Sequence, residues 1–208
     1  MSRTIERVVV ASGNRHKVQE IRDELERVAP GIVVVGLDAF DGVPEIEESA
    51  PTFAGNATLK AEGIAAWLAA RGEPGSTHVL ADDSGICVDA LDGHPGVRSA
   101  RFAGDHATDA ENNQALVRAL RARGLEHSPA HYVCVLALVR VDGQPCALFE
   151  GRWDVVVRTE ARGTGGFGYD PHAWLEQGTR TVAELTPQQK AELSHRGAAL
   201  RQLATWLR

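Results

Sequence analysis

Short β-branched runs along this chain alternate with stretches whose apolar residues recur at helical spacing. "RVVVAS" at 7–12 is the first such run, and after Gly13 and Asn14 the positions Val18, Ile21, Leu25 and Val28 share a helical face. A strand, a tight turn and a helix are expected. "GIVVVG" at 31–36 predicts a second strand, followed by the polar, Pro-interrupted loop "DGVPEIEESAPT", which carries Glu45, Glu47 and Glu48. From Phe53 to Ala70 the pattern is amphipathic, with Ala57, Ala61, Ile64, Ala65 and Leu68 on one face and Asn56, Lys60 and Gly63 on another. Gly72 and Pro74 end that helix.

"THVLA" and "ICVDAL" read as two short strands flanking "DDSG", which places Asp82 and Asp83 in a bend; "DGHPGVRS" is turn-rich and has no helical period. Thr108 and Glu111 form a capping box ahead of a helix bearing Leu116, Val117 and Leu120 and closed by Gly124. "HYVCVLALVRV" and "CALFEGRWDVVV" are strands, joined by a hairpin at Asp142-Gly143. After the glycine-rich "GTGGFGYDP", Thr186 caps a final helix with Pro187 in its first turn and Gln189 at the box position. Because strands and helices are mixed rather than strictly alternating, the expected class is α/β with a mixed central sheet flanked by helices.

At 208 residues the chain can bury a real core as one domain or two intimately packed lobes, and 1–208 is read as a single domain. Its apolar runs reach strand length only, short of the roughly 20 residues needed to cross a bilayer, and Met1 to Glu6 shows no signal-peptide pattern. A cytoplasmic protein with no membrane partner is expected. With 22 basic and 28 acidic side chains and a formal charge of −6, nothing favours nonspecific hold on a polyanion, so nucleic acid is not an expected partner. Cys87, Cys134 and Cys146 are widely spaced in apolar settings and read as reduced core residues rather than a zinc site or a disulfide framework.

Four groups of residues carry candidate chemistry. "SGNRHK" (Ser12, Gly13, Asn14, Arg15, His16, Lys17) would present backbone N–H groups at a helix start together with the Lys17 charge, a cradle for phosphate that is not a Walker motif. Glu48 with Asp82 or Asp83 offers the hard oxygen donors that Mg²⁺ prefers, and a carboxylate not consumed by metal could deprotonate water. In "GTGGFGYDP" the glycines let backbone approach a ligand, while Phe167 and Tyr169 supply ring faces and Asp170 an acceptor. Lys190, His195 and Arg196 in the last helix add cationic groups, but on a regular helix they point different ways.

The ordered set "SGNRHK", "EIEESAPTFAGNATLKA", "LADDSGICVDALDGHPGVRSARFAG", "GTGGFGYDP" and "AELTPQQKAELSHRGAAL" closely resembles the inosine triphosphate pyrophosphatase family, the noncanonical purine nucleoside triphosphate pyrophosphatases. The match runs from near Val8 to the last helix. The resemblance implies a homodimer of elongated mixed α/β subunits with a nucleotide cleft between two lobes, and Mg²⁺-dependent hydrolysis of ITP, dITP and XTP to monophosphate and pyrophosphate. By motif position it implies phosphate contacts from Ser12 to Lys17, metal ligation by Glu48 and Asp83, and Asp83 as general base. It further implies substrate contacts from Ser84, Phe167, Gly168, Tyr169, Asp170, Lys190, His195 and Arg196. Ser12 stands where the family commonly has Thr, and the hydroxyl is kept. Two other readings stand beside it: a Maf-type pyrophosphatase with another base preference, against which "GGFGYDP" and "SHR" speak, and a sensor that binds purine triphosphates without hydrolysing them.

Overall fold

The computed structural model describes residues 5–175 and 178–207, apart from the side chains of Pro145 and Cys146. The core position expected for Cys146, and part of the Met1–Glu6 stretch, therefore lie outside the described residues. Among the described residues six strands form one mixed sheet in the order β2-β1-β3-β4-β5-β6. They are β1 (Arg7–Val10), β2 (Val33–Gly36), β3 (His78–Val88), β4 (His127–Arg140), β5 (Pro145–Arg158) and β6 (Ala173–Trp174). β1 runs parallel to both β2 and β3, with Val10 opposite Gly36 and Leu80, whereas β5 and β6 are antiparallel. The helices are α1 (Arg15–Val28), α2 (Phe53–Ala70), α3 (Asp109–Ala122), α4 (Pro187–Leu193) and α5 (His195–Trp206). This is the mixed α/β class expected.

The local signals act as their chemistry requires. Asn14 caps α1 by accepting from the His16 and Lys17 N–H groups at 3.0 and 3.2 Å. Thr108 and Glu111 close a reciprocal capping box on α3, as Thr186 and Gln189 do on α4 with Pro187 in the first turn.

Two expectations are corrected. Asp82 and Asp83 do not occupy a bend: β3 is a single strand of 11 residues running through them. Burial of the two acids is compensated by cations contributed from distant elements, and Gly85 is required by packing rather than by a turn. A Cβ there would sit 2.3 Å from Ser99 Oγ and 2.4 Å from the Gly96 carbonyl oxygen. The final helix is also not continuous. Ser194 takes an extended conformation (φ −74°, ψ 159°), its N–H bonds the Lys190 carbonyl, and α5 starts afresh at His195. Serine readily leaves the helical conformation because its hydroxyl competes for nearby backbone groups. The turn-rich "DGHPGVRS" is preceded by a short 3₁₀ segment at Asp89–Leu91 and runs into another at Gly96–Arg101.

The residues gather into two compact units. The first comprises Met1–Asp83, Cys134–Glu150 and Arg196–Arg208, the second Ser84–Val133 and Gly151–His195. In the first unit Val8 and Val10 of β1, Ile21 and Leu25 of α1, Leu80 of β3 and Leu200 and Leu203 of α5 form one core. In the second, Ile86 and Val88 of β3, Leu116 and Leu120 of α3, and Val155 and Val157 of β5 form another. Among the described residues no helix is long and apolar enough to cross a membrane.

Candidate active site

In the first unit the two adjacent aspartates of β3 are both buried, Asp82 at 1% and Asp83 at 4% exposure. Successive strand side chains leave on opposite faces, and the two acids accordingly meet different partners. Asp82 accepts from Lys17 Nζ at 2.6 Å and from Arg196 Nε at 2.8 Å, and its Oδ2 lies 3.1 Å from Cys134 Sγ. Arg196 also pairs with Glu20. Burial alone would raise Asp82, but the Arg196 and Lys17 charges overcome it and hold its carboxyl well below the usual range. The same Asp82 charge, after burial, pushes the Cys134 thiol up, so this cysteine stays protonated.

Asp83 has the opposite environment. Lys60 of α2 donates to the Asp82 carbonyl at 2.7 Å and stands 3.3 Å from Glu48 Oε1 and 3.8 Å from Asp83 Oδ1. Burial raises the Asp83 carboxyl to about 6 against the pull of Lys60, with Glu48 adding to the rise and Lys17 and Asn56 opposing it. A carboxylic acid poised near neutrality beside a second carboxylate and a lysine can take a proton from water. Of the "SGNRHK" residues, Lys17 turns to Asp82, while Gly13, Asn14, Arg15 and His16 are exposed and Ser12 is half-buried. Ser12 Oγ accepts the Asn14 N–H at 3.2 Å.

In the second unit Asp170 organises the glycine loop. Its Oδ2 accepts from Phe167 N at 2.9 Å and Lys190 Nζ at 2.8 Å, and its Oδ1 from the Tyr132 hydroxyl at 3.2 Å. Gly166, at φ +72°, has no room for a side chain because a Cβ would fall 2.0 Å from Asp170 Oδ2. Gly168 is tied by its N–H to Asp109 at 2.7 Å and by its carbonyl to Asn113 at 2.9 Å. The Lys190 ammonium lies 4.0 Å from the Phe167 ring centroid, and His195 stacks on Tyr132 with centroids 4.8 Å apart and planes 8° apart. Tyr169 is buried and donates to the Ser99 carbonyl at 2.8 Å, and Ser84 is half-buried in β3.

The family model of the Ham1 family matches residues 8–206. The chain belongs to the Ham1 family. It is 42% identical to a Streptomyces coelicolor protein named dITP/XTP pyrophosphatase over 97% of each chain. It is 45% identical to an Aromatoleum aromaticum protein of the same name over 95% of this chain and 94% of that one. The solved structure of a HAM1 protein from Coxiella burnetii superposes with a TM-score of 0.83 at 39% identity, covering 97% of this chain and 98% of that one. The mixed sheet with its flanking helices is thus the Ham1 fold.

Several residues of this Ham1 chain escaped the motif reading. Lys60 was visible only as part of a polar helical face. Tyr132, Asp109 and Asn113 carried no local signal, since their partners are supplied by the fold. Arg196, expected among the base contacts, is 1% exposed and bonded to Asp82, while Lys190 and His195 serve the Asp170 loop and the Tyr132 ring.

Proposed function

We propose that the protein hydrolyses noncanonical purine nucleoside triphosphates (ITP, dITP and XTP) to the monophosphate and pyrophosphate, clearing them from the cytoplasmic nucleotide pool as a homodimer whose 1–208 chain is one pyrophosphatase domain. The observation that carries this reading is Asp83, a buried carboxyl raised to about 6 and flanked by Glu48 and Lys60. Its agreement with relatives named dITP/XTP pyrophosphatase supports the substrate class.

The residues suit a magnesium ion. Glu48 Oε1 and Asp83 Oδ1 already approach one cation, the Lys60 ammonium, and both are hard oxygen donors. Mg²⁺ is typically held by one or two carboxylates, with water and substrate phosphate completing the shell. Glu48 and Asp83 would hold it, and when bound it would neutralise charge on the phosphate oxygens. Asp82 is not assigned to this set, because Lys17 and Arg196 already engage its two oxygens.

In this reading Asp83 accepts the proton of the water that attacks the α-phosphorus. Lys17, anchored by Asp82, and Lys60 offset the charge that develops on the phosphoryl oxygens. The turn Ser12–Lys17 approaches the phosphates, and Phe167 to Asp170 with Lys190 and His195 handles the base. A 6-oxo purine accepts where adenine's amino group donates, and a mismatched buried polar group costs about 1–3 kcal/mol.

The test is phosphorus NMR of products formed from ITP, XTP, dITP, ATP and GTP with Mg²⁺. Pyrophosphate with IMP or XMP, and little from ATP or GTP, is the expected result. Orthophosphate with a diphosphate would overturn attack at the α-phosphorus, and ITP binding without any product would favour the sensor.

A further inference from the structure

Glu48 belongs to a segment, residues 43–50, that forms neither helix nor strand, yet its Oε1 is placed 3.3 Å from the Lys60 ammonium. The surface against which this segment lies is α2. A Cβ added at Gly55 would fall 2.6 Å from Ala50 Cβ and 3.1 Å from Thr52 Oγ1, and one added at Gly63 would fall 2.6 Å from Ile46 Cδ1. The chain on both sides of Glu48 therefore rests directly on the helix, where two missing side chains permit the close approach.

Asn56 lies between these two glycines, one turn before Lys60 and on the same face of α2. It is 0% exposed, and its Oδ1 accepts the Ala50 N–H at 2.9 Å. Because that partner can only donate, it settles which end of the amide is the oxygen and sends the amino group the other way. Nδ2 is buried and makes no hydrogen bond to a described residue. Beside it stands Asp83, whose ionised form the Asn56 side chain favours. A buried donor left unmet costs about 1–3 kcal/mol, and an ionised carboxylate, which only accepts, is the group that relieves that cost.

We propose that Asn56 is a positioning residue for the carboxylate pair, a single amide that ties the Glu48 loop to Asp83 and so sets the spacing of the two acids. The inference rests on the proposed function, in which Glu48 and Asp83 hold one magnesium ion. Lys60 also approaches both acids, but as a cation it competes with a metal ion for them. The neutral amide holds both without that competition. Groups that hydrogen-bond to ligating carboxylates orient them, and removing one typically costs about 10–100-fold in metal affinity.

The probe is Mn²⁺, which suits the same carboxylate and water ligands as Mg²⁺, added to the full chain without nucleotide and followed through the electron paramagnetic resonance of the free ion. Wild type should show a site that Glu48→Gln weakens, and Asn56→Ala should raise the dissociation constant of that site at least about tenfold. A smaller rise overturns the role of Asn56, and so does an unchanged constant with fewer sites, the mark of a residue that only keeps the chain folded. Mn²⁺ binding in wild type that ignores Glu48→Gln overturns the magnesium reading itself, and the proposal with it. Amide hydrogen exchange of Ala50 in wild type decides the matter if Asn56→Ala does not fold. Protection is expected at Ala50 although its segment is neither helix nor strand, and exchange at the rate of an open chain overturns the tie.

Discussion

Asp82 and Asp83 are neighbours in one strand, both buried, and their carboxyls are displaced from the ordinary range in opposite directions. Asp82 is held low by Arg196 and Lys17 against the effect of burial, whereas burial raises Asp83 to about 6 against the pull of Lys60. The alternation of β3 sends the two acids to different partners, Asp82 to Lys17 and Arg196 and Asp83 to Lys60. In the proposed reading the pair thereby separates anchoring from chemistry within two consecutive residues.

Replacing Asp82 by Asn should therefore act on stability first. Arg196, 1% exposed, would keep its pair with Glu20 but lose the Asp82 charge, and Lys17 would lose the ion pair it makes at 2.6 Å. Breaking a buried ion pair from one side typically costs about 3–5 kcal/mol. Urea unfolding of Asp82→Asn should show a loss of this order. A loss below about 1 kcal/mol would mean that the cations find other partners and that Asp82 anchors nothing.

Asp83 makes a pH-dependent contribution of the opposite sense. Its ordinary value is 3.8 and its folded value about 6, so between these limits the native protein holds a proton that the unfolded chain releases. Stability should accordingly rise as the pH falls from about 6.5 towards 4, by up to about 3 kcal/mol from this group in metal-free protein. His78 and His131, which burial holds below their ordinary 6.5, act the other way over the same range, since the unfolded chain takes up their protons first. The informative quantity is the difference between wild type and Asp83→Asn. The gain on acidification should be confined to wild type, and equal pH profiles for the two proteins would remove the raised carboxyl. The variant should also lose at least about a hundredfold in turnover while remaining folded.

Lys60 opposes the rise at Asp83 and separates it electrostatically from Glu48. In Lys60→Met both effects vanish, so the Asp83 carboxyl should move further up. The acid limb of the pH–rate profile should shift to higher pH, with turnover at pH 7 reduced about tenfold or more. An acid limb that stays in place would show that it reports a group other than Asp83.

Much of the architecture was legible because it rests on local rules. The amphipathic pattern over Phe53–Ala70 gave α2 with the same bounds, and the capping boxes at Thr108 and Thr186 mark the starts of α3 and α4. What misled was the burial of charge. "DDSG" looks like a turn because the groups that stabilise Asp82 lie 65 and 114 residues away, at Lys17 and Arg196, and a window of sequence cannot contain them. The break at Ser194 is similar in kind, since His195 is committed to Tyr132 and Arg196 to Asp82 by tertiary contacts rather than by helical phase. The motifs named the acids and the glycine loop, while Lys60, Tyr132, Asp109 and Asn113 emerged only from the packing.

Gly85 offers a test of the corrected strand. In a bend an alanine would be tolerated or even preferred, but in β3 its Cβ would meet Ser99 Oγ and the Gly96 carbonyl at 2.3 and 2.4 Å. Gly85→Ala should lower stability by about 2 kcal/mol or more, the range seen when a packed interior is overfilled. Adding Ser99→Ala should not restore it, because the backbone carbonyl remains and the Ile86 N–H would lose its 2.9 Å acceptor. Full recovery in the double variant would place the conflict at Ser99 alone.

In the proposed reading Phe167 belongs to base recognition and takes no part in the chemistry. Its ring lies against the Lys190 ammonium at 4.0 Å, and its N–H is held by Asp170, so the loop backbone does not depend on the ring itself. Phe167→Leu keeps an apolar side chain and the backbone bonds of Phe167 and Gly168 to Asp170, Asp109 and Asn113 while removing the aromatic face. If that face stacks on the purine, the loss falls on binding, since stacking is worth about 1–3 kcal/mol per base. KM for ITP should rise about tenfold or more with kcat changed less than about threefold, because Asp83, Glu48 and Lys60 belong to other elements. A fall in kcat at constant KM would instead make Phe167 part of the reacting geometry and would overturn its assignment to the base.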